Sequence, residues 1–274
     1  MTIYMTSDLH VDHYLNDRVG LQQFIDNALK PADILCIAGD TSDNPSVFTD
    51  FYKAVSERYE KVFVVFGNHD LTIGNQSYFR NNPFRKTEDK IAFLKNELSK
   101  QRNVSILDGT VEEYKGIRFG GTMAFNDWTY GMQLDPDRGY EYFMGEWRYW
   151  FDYVNWNYKN QDHKAILKDE MTKLDAVIAG QPDIIMTHYI PLFFGVSREF
   201  QWDMSSTFFY FDGDKYLSGL KNNAIWLAGH THSVRQRQLN LEGGRTIHLK
   251  INPVGYPDEN SGNAMNMDQF LIER

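Results

Sequence analysis

Five short polar pieces stand out by residue type and by place. Asp8-Leu9-His10, Gly39-Asp40, Gly67-Asn68-His69-Asp70, His188 and Gly229-His230-Thr231-His232 each follow an apolar, strand-favouring run. Taken singly, each has an ordinary reading: an Asp-x-His arising by chance, a turn after a strand, two exposed imidazoles flanking a bend. Taken together, in order from residue 8 to residue 232, they hold five of the eight histidines of the chain. In an open α/β sheet the carboxyl ends of the strands line one edge, so the five pieces are expected to meet there. They bring carboxylate oxygens, imidazole nitrogens and one amide oxygen, a set that suits borderline divalent cations such as Mn, Fe, Zn or Co. The lack of thiolates argues against a structural zinc site.

The elements that must position them are legible as periodicities. Ile3–Thr6, Ile34–Ala38 and Val62–Phe66 read as strands. Between and after them, Leu21, Phe24, Ile25 and Ala28 recur at helical spacing, Phe48, Phe51, Tyr52 and Val55 outline a second helix, and a third is expected from Glu88 to Lys100. Three β-α units in a row predict a layered α/β sheet. Farther on, Val104–Leu107, Val111–Tyr114 and Ile117–Gly120 read as short strands joined by turns at Asp108-Gly109 and Lys115-Gly116. Ile184–Thr187 and Ala224–Ala228 are further apolar strands, and residues 235 to 251 form a hairpin around Glu242-Gly243-Gly244. No repeat or low-complexity linker divides the chain, which predicts a single domain over residues 1 to 274 carrying an insertion at about 125–160.

That insertion has an unusual composition. Residues 125–158 hold 13 aromatic side chains, against 41 in all 274 residues. One reading is a helical flap whose rings pack onto the sheet. The other is a lid whose rings face the cleft and stack on a planar group. The two are compatible.

Composition narrows the class. With 28 Lys and Arg against 37 Asp and Glu, the formal net charge is -9, which disfavours a nucleic-acid partner. No run of about 18 apolar residues is present, so a membrane span is not expected. The start of the sequence lacks the basic and apolar segments of a signal peptide, and the single Cys36 excludes an intramolecular disulfide framework. A cytoplasmic protein is expected. The sequence leaves the oligomeric state open.

The five pieces resemble the full signature of the calcineurin-like metallophosphoesterases, and they span nearly all of the chain outside the insertion. The resemblance implies a four-layer αββα sandwich with two divalent metal ions at the sheet edge, Mn foremost. It implies that Asp8, His10, Asp40 and His232 bind the first ion, and that Asp40, Asn68, His188 and His230 bind the second, with Asp40 bridging. Two such cations lower the pKa of a shared water and clamp both ends of an in-line phosphoryl displacement. His69, not a ligand in the family pattern, would donate a proton to the leaving oxygen or stabilise the phosphoryl charge. Two acids compete to orient it. Asp43 matches the position of the histidine's partner in related protein phosphatases, and Asp70 is its neighbour in sequence. We favour Asp43, with Asp70 holding the loop.

Departures from relatives bear on the substrate. Protein Ser/Thr phosphatases carry Gly-Asp-x-x-Asp-Arg-Gly, with an arginine directly after the counterpart of Asp43, whereas here the run is Gly39-Asp40-Thr41-Ser42-Asp43-Asn44 and that arginine is missing. The tyrosine ligand of purple acid phosphatases is also absent near Asp40. The motifs look more like the bacterial phosphodiesterase branch. The expected function is hydrolysis of a small nucleotide-like or other organic phosphoester, as diesterase or monoesterase. A nuclease of the same superfamily and a non-catalytic scaffold are the alternatives. His13 is a candidate for contact with substrate, His163 and His248 are expected to be structural or solvated, and Cys36 to be packed in the core. Arg80, Arg138 and Arg148 are candidates for gripping phosphate.

Overall fold

The run Ile34–Ala38 shows how the framework is built. All five residues are buried, and they alternate between two apolar environments: Ile34, Cys36 and Ala38 face one core, Leu35 and Ile37 another. A strand buried on both faces needs this continuous apolar character, because neither face meets water. The computed structural model describes residues 1–15, 19–74, 83–259 and 268–273. In chain order its first elements are β1 (Thr2–Thr6), α1 (Val11–Tyr14), α2 (Leu21–Ala28), β2 (Ile34–Ala38), α3 (Pro45–Arg58), β3 (Lys61–Val65), α4 (Thr87–Ser99) and β4 (Val104–Ile106). There follow β5 (Thr110–Tyr114), β6 (Ile117–Gly121), α5 (Thr129–Leu134), α6 (Tyr140–Trp147), α7 (Phe151–Asn155), α8 (His163–Ala179) and β7 (Ile184–Met186). The last are β8 (Ala224–Ala228), β9 (Arg235–Asn240), β10 (Thr246–Ile251) and β11 (Leu271–Glu273).

The strands form two sheets. The first has the order β11-β1-β2-β3-β4, parallel except for β11; the second has the order β5-β6-β7-β8-β10-β9, parallel in its middle and antiparallel at both edges. Inner-facing residues of both sheets, among them Met5, Cys36, Phe63, Phe119, Met186 and Leu227, make one buried core between them. At its middle the rings of Phe63 and Phe119 stack with centroids 4.1 Å apart. Each such side chain removed from water contributes ~1.5–3 kcal/mol, so the sheets are held face to face by this seam. The architecture is the mixed α/β sandwich that the sequence resemblance implies.

Local chemistry sets the helix boundaries. Asn44 caps α3, its side chain accepting from the backbone of Ser46 and Val47, and Pro45 occupies the first turn, where a missing N–H costs nothing. Lys115 and Gly116, both at positive φ, make the tight hairpin between β5 and β6. The turn at Asp108-Gly109 is different from the expected one. β4 pairs in parallel with β3 in the first sheet, so Asp108-Gly109 carries the chain across to the second sheet instead of folding β4 onto β5. A three-residue strand offers too little pattern to say which sheet it joins.

The insertion forms α5, α6 and α7. Trp128, Trp147 and Trp156 are buried in the main core, which accords with the flap reading, while Trp150 and Phe151 line the cavity described below. Cys36 is a buried free thiol of the core, as expected. His163 is also buried, stacked on Trp128 at 3.5 Å with Nε2 against the carbonyl oxygen of Asn126. No described helix is long and apolar enough to cross a membrane.

Candidate metal centre

Asp8, His10, Asp40, Asn68 and His69 stand just beyond β1, β2 and β3 of the first sheet; His188, His230 and His232 stand just beyond β7 and β8 of the second. The site therefore straddles the seam between the sheets. The strand-end loops are knitted to one another. The backbone N–H groups of Asp8 and His10 donate to Gly39 O and Asp40 O, and Gly229 N donates to His188 O. Asp8, His10, Asp40 and His230 all adopt left-handed backbone conformations, with φ of 50°, 42°, 55° and 67°. A non-glycine residue in this region costs on the order of 1–3 kcal/mol, and such strain persists only where the surroundings over-determine it. Gly67 answers a different need: a Cβ there would lie 2.1 Å from Asp40 Oδ1, so only glycine lets the carboxylate pass.

Ligand-type atoms gather in two groups. Asp8, His10 and His232 form one, and Asp40, His188 and His230 another, with a further grouping of His10, Asp40 and His69 between them. Outer hydrogen bonds decide which atoms face inward. Asn68 Nδ2 donates to Asp152 Oδ1 at 2.8 Å, so its amide oxygen points to the cluster. His188 Nδ1 donates to Ala38 O at 2.9 Å, which leaves Nε2 with a lone pair. Yet His188 Nε2 lies 2.8 Å from Asn68 Oδ1 and 3.3 Å from Asp40 Oδ2. Three acceptors converge, and only a cation or an added proton reconciles them. Burial works against a charged His188, but the Asp40 carboxylate outweighs it and pushes the ring up to about 9. A divalent ion would take the place of that proton.

The other imidazoles are held in different ways. His232 Nδ1 is bonded to Glu259, and its Nε2 lies 3.1 Å from His10 Nε2. His10 is fully buried with its Nδ1 unpartnered, and burial together with the nearby His69 charge keeps it neutral. His230 Nε2 lies 3.3 Å from Phe208 O, and burial keeps this ring neutral as well. Burial alone would raise Asp40, but His188, His69 and His10 hold it well below the usual carboxylate range. Neutral His10 and His230 beside an ionised Asp40, with His188 and His232 oriented through their outer nitrogens, offer the kind of donor set that divalent cations take.

Beside this cluster sits His69. Its Nδ1 lies 2.8 Å from Asp43 Oδ1, and its Nε2 lies 3.3 Å from the Tyr256 hydroxyl. The competition between the two acids has a geometric answer. Asp70 turns away from the ring: its two oxygens accept from the backbone of Asp40, Gly67, Thr41 and Ser42, so it holds the loop and does not orient His69. Burial opposes a charged His69, but Asp43 and Asp40 push it up to about 10; bound cations would draw it down again. Phe151, from the insertion, stacks on the same ring at 4.3 Å.

Several participants carry no sequence signal. Asp152 and Tyr189 are bonded to each other at 2.7 Å behind Asn68, and burial pushes the Asp152 carboxyl up to about 6. Lys90 is buried and braces the loop from behind, donating to Asp43 O and Thr72 O. Tyr256 stacks on His10 at 4.3 Å, and Glu259 ties His232 to the backbone of Tyr256. An acid on a short helix of the insertion and a loop after β10 follow no motif; an Asp-Tyr pair within an aromatic-rich stretch is the nearest thing to a clue.

The remaining candidates fall elsewhere. His13 Nε2 is 4.0 Å from Asp43 Oδ2, so it sits behind the His69 partner at the surface. Arg138 is half-buried and paired with Asp135, Arg148 is exposed, and neither lines the cavity; Arg80 lies outside the described residues. A cavity of about 640 Å³ opens from Asp40, Asn68, His69, His230 and His232, and its walls come from the insertion and from residues 190–209.

Comparisons place these features among known proteins. An uncharacterized protein of Acanthamoeba polyphaga mimivirus is 26% identical over 301 residues, covering 97% of each chain. Among solved structures, a phosphopantetheinyl hydrolase from Mycobacterium tuberculosis superposes with a TM-score of 0.76 at 17% identity, covering 98% of this chain and 94% of that one, which establishes a shared fold. The family model described as calcineurin-like phosphoesterase matches residues 1–234, a stretch that takes in every one of the strand-end pieces. The chain belongs to the calcineurin-like phosphoesterases.

Proposed function

We propose that this protein is a dinuclear metal-dependent phosphodiesterase acting on a small organic phosphoester. The observation that carries the reading is the convergence of Asn68 Oδ1, His188 Nε2 and Asp40 Oδ2 as mutually facing acceptors. Asp8, His10, Asp40 and His232 would hold one cation, and Asp40, Asn68, His188 and His230 the other, with manganese the metal of first choice. When bound, the pair supplies Lewis acidity toward the phosphoryl oxygens and acidifies water.

The residues of the chain do the rest. Asp43 keeps a proton on Nδ1 of His69 and fixes the ring, leaving Nε2 to face the cavity beside Tyr256. From there His69 delivers a proton to the departing alkoxide. Asp152 and Tyr189 lock the Asn68 amide so that its oxygen faces inward. The cavity continues well past this cluster, leaving room for the second ester arm that a diester carries and a monoester lacks. Among the described residues no Lys or Arg lines it, which supports a small substrate over a nucleic-acid strand. A cytoplasmic location belongs to the same reading, and the lone buried thiol of Cys36 fits a reducing compartment.

The test is turnover of bis-p-nitrophenyl phosphate beside p-nitrophenyl phosphate by the manganese-loaded protein. Faster diester hydrolysis, abolished in Asp40→Ala with the fold intact, is the expected result. Equal activity in Asp40→Ala would overturn the reading.

A further inference from the structure

The walls of the cavity beyond the metal cluster carry five aromatic rings and two carboxylates among serines, Thr231, Ile190 and Val196. Trp150, Phe151, Phe200, Phe209, Tyr256 and Glu199 line it, with one face of Trp150, Phe151 and Tyr256 covered by Phe208, His69 and His10. Trp150 and Phe209 meet edge-on with centroids 5.7 Å apart, and Phe151 is fixed flat against His69. Phe200 is only half covered at the mouth. The second carboxylate of the lining, Glu259, is occupied by His232 and by the backbone N–H of Tyr256. Glu199, exposed on the single turn Arg198–Phe200, has no hydrogen-bond or ion-pair partner among the described residues. Arg235, the cation nearest in sequence to the His230–His232 loop, is turned onto Ser197 Oγ, and Arg237 lies over the ring of Phe194.

Resting on the phosphodiesterase reading, we propose that the second ester arm of the substrate carries an amine or quaternary ammonium group, held against these rings and Glu199. A cation over aromatic faces is attracted by their quadrupoles, and the attraction grows as water is excluded. A carboxylate or second phosphate on the same arm would meet Glu199 and the negative ring faces, with no Lys or Arg in the lining itself and the neighbouring Arg235 engaged by Ser197 Oγ. The charge of the wall is thus opposite to that of the floor. Cations held by Asp40, Asn68, His188 and His230 would take the phosphate, and the wall with Glu199 takes a positive arm.

Three p-nitrophenyl diesters that differ only in the second arm test this: the choline ester, the methyl ester and a carboxyalkyl ester. With manganese, kcat/KM is expected to fall in that order, by tenfold or more from choline to carboxyalkyl. In Glu199→Gln the choline-to-methyl ratio should shrink several-fold, and in Glu199→Lys the order of choline and carboxyalkyl should reverse. Calorimetry with phenyltrimethylammonium on the metal-free protein gives a second readout, with binding weakened in Glu199→Gln. Hydrolysis of all three esters at similar rates, or preference for the carboxyalkyl arm, overturns the proposal and leaves the phosphodiesterase reading intact. Failure to hydrolyse any of the three overturns both.

Discussion

Asn68 and Asp152 lie 84 positions apart and are joined by a buried hydrogen bond of 2.8 Å, Nδ2 to Oδ1. The bond determines which end of an otherwise symmetric amide faces the cluster. Removing it in Asp152→Ala frees the amide to turn and strands the Tyr189 hydroxyl. We expect affinity for one of two cations to drop by roughly 10–100-fold, the usual effect of losing such an outer partner. Metal titration by calorimetry checks this. Two sites of unchanged affinity would show that Asp152 serves only the fold.

The His69–Asp43 pair makes a prediction about leaving groups. In His69→Asn, turnover of an ester with an alkyl leaving group should fall by ~10²–10⁴, because an alkoxide needs a proton. A p-nitrophenolate leaves without one, so its rate should fall far less. Asp43→Asn should follow the same pattern more weakly. A uniform loss across both substrates would assign His69 to phosphoryl binding instead.

Lys90 is predicted to matter for stability. It is buried and donates to Asp43 O at 2.8 Å and Thr72 O at 2.7 Å. Burial brings its pKa down to about 8 against the pull of Asp43 and Asp70. Lys90→Met leaves two carbonyl oxygens without a donor and the nearby carboxylates uncompensated, a loss of ~2–4 kcal/mol. Urea unfolding measures it.

How far was this legible in the sequence? The strand-end pieces were, because alternation and apolar runs end where Asp8, Asp40, Asn68, His188 and His230 begin, and the geometry of an open sheet does the rest. Asp43 was legible only through a motif. Asp152, Tyr256 and Glu259 were not, because each reaches the site through packing of a segment whose local pattern says nothing about its destination. The short strands show a related limit: β4 was legible as a strand but not the sheet it joins, and β11 was not legible at all, because three residues each are too few for periodicity to outvote context.

His163 predicts a pH dependence of stability. Burial, opposed by the Asn126 bond, lowers its pKa from 6.5 to about 3. Between those values the unfolded chain binds more protons than the folded one, so stability falls as pH falls, by up to ~1.4 kcal/mol per unit. Above the unfolded pKa the group contributes no slope. In His163→Gln this part of the acid loss should vanish. Urea unfolding of both proteins at about pH 7 and about pH 4.5 compares them, and parallel losses would refute the assignment.

The placement of candidate ligands on both sides of the seam has a consequence for linkage. A cation held by His188 and His230 from one sheet and by Asp40 from the other acts as a rivet whose strength adds to the apolar contact beneath it. Each tenfold excess of free metal over its dissociation constant then adds ~1.4 kcal/mol against separation of the layers. Reciprocity requires the converse. A cavity opened at Phe63, out of reach of any ligand, must weaken cation affinity to whatever extent it lets the sheets shift apart. Phe63→Ala, titrated with manganese, would read the stiffness of the sandwich through a site that the substitution never touches.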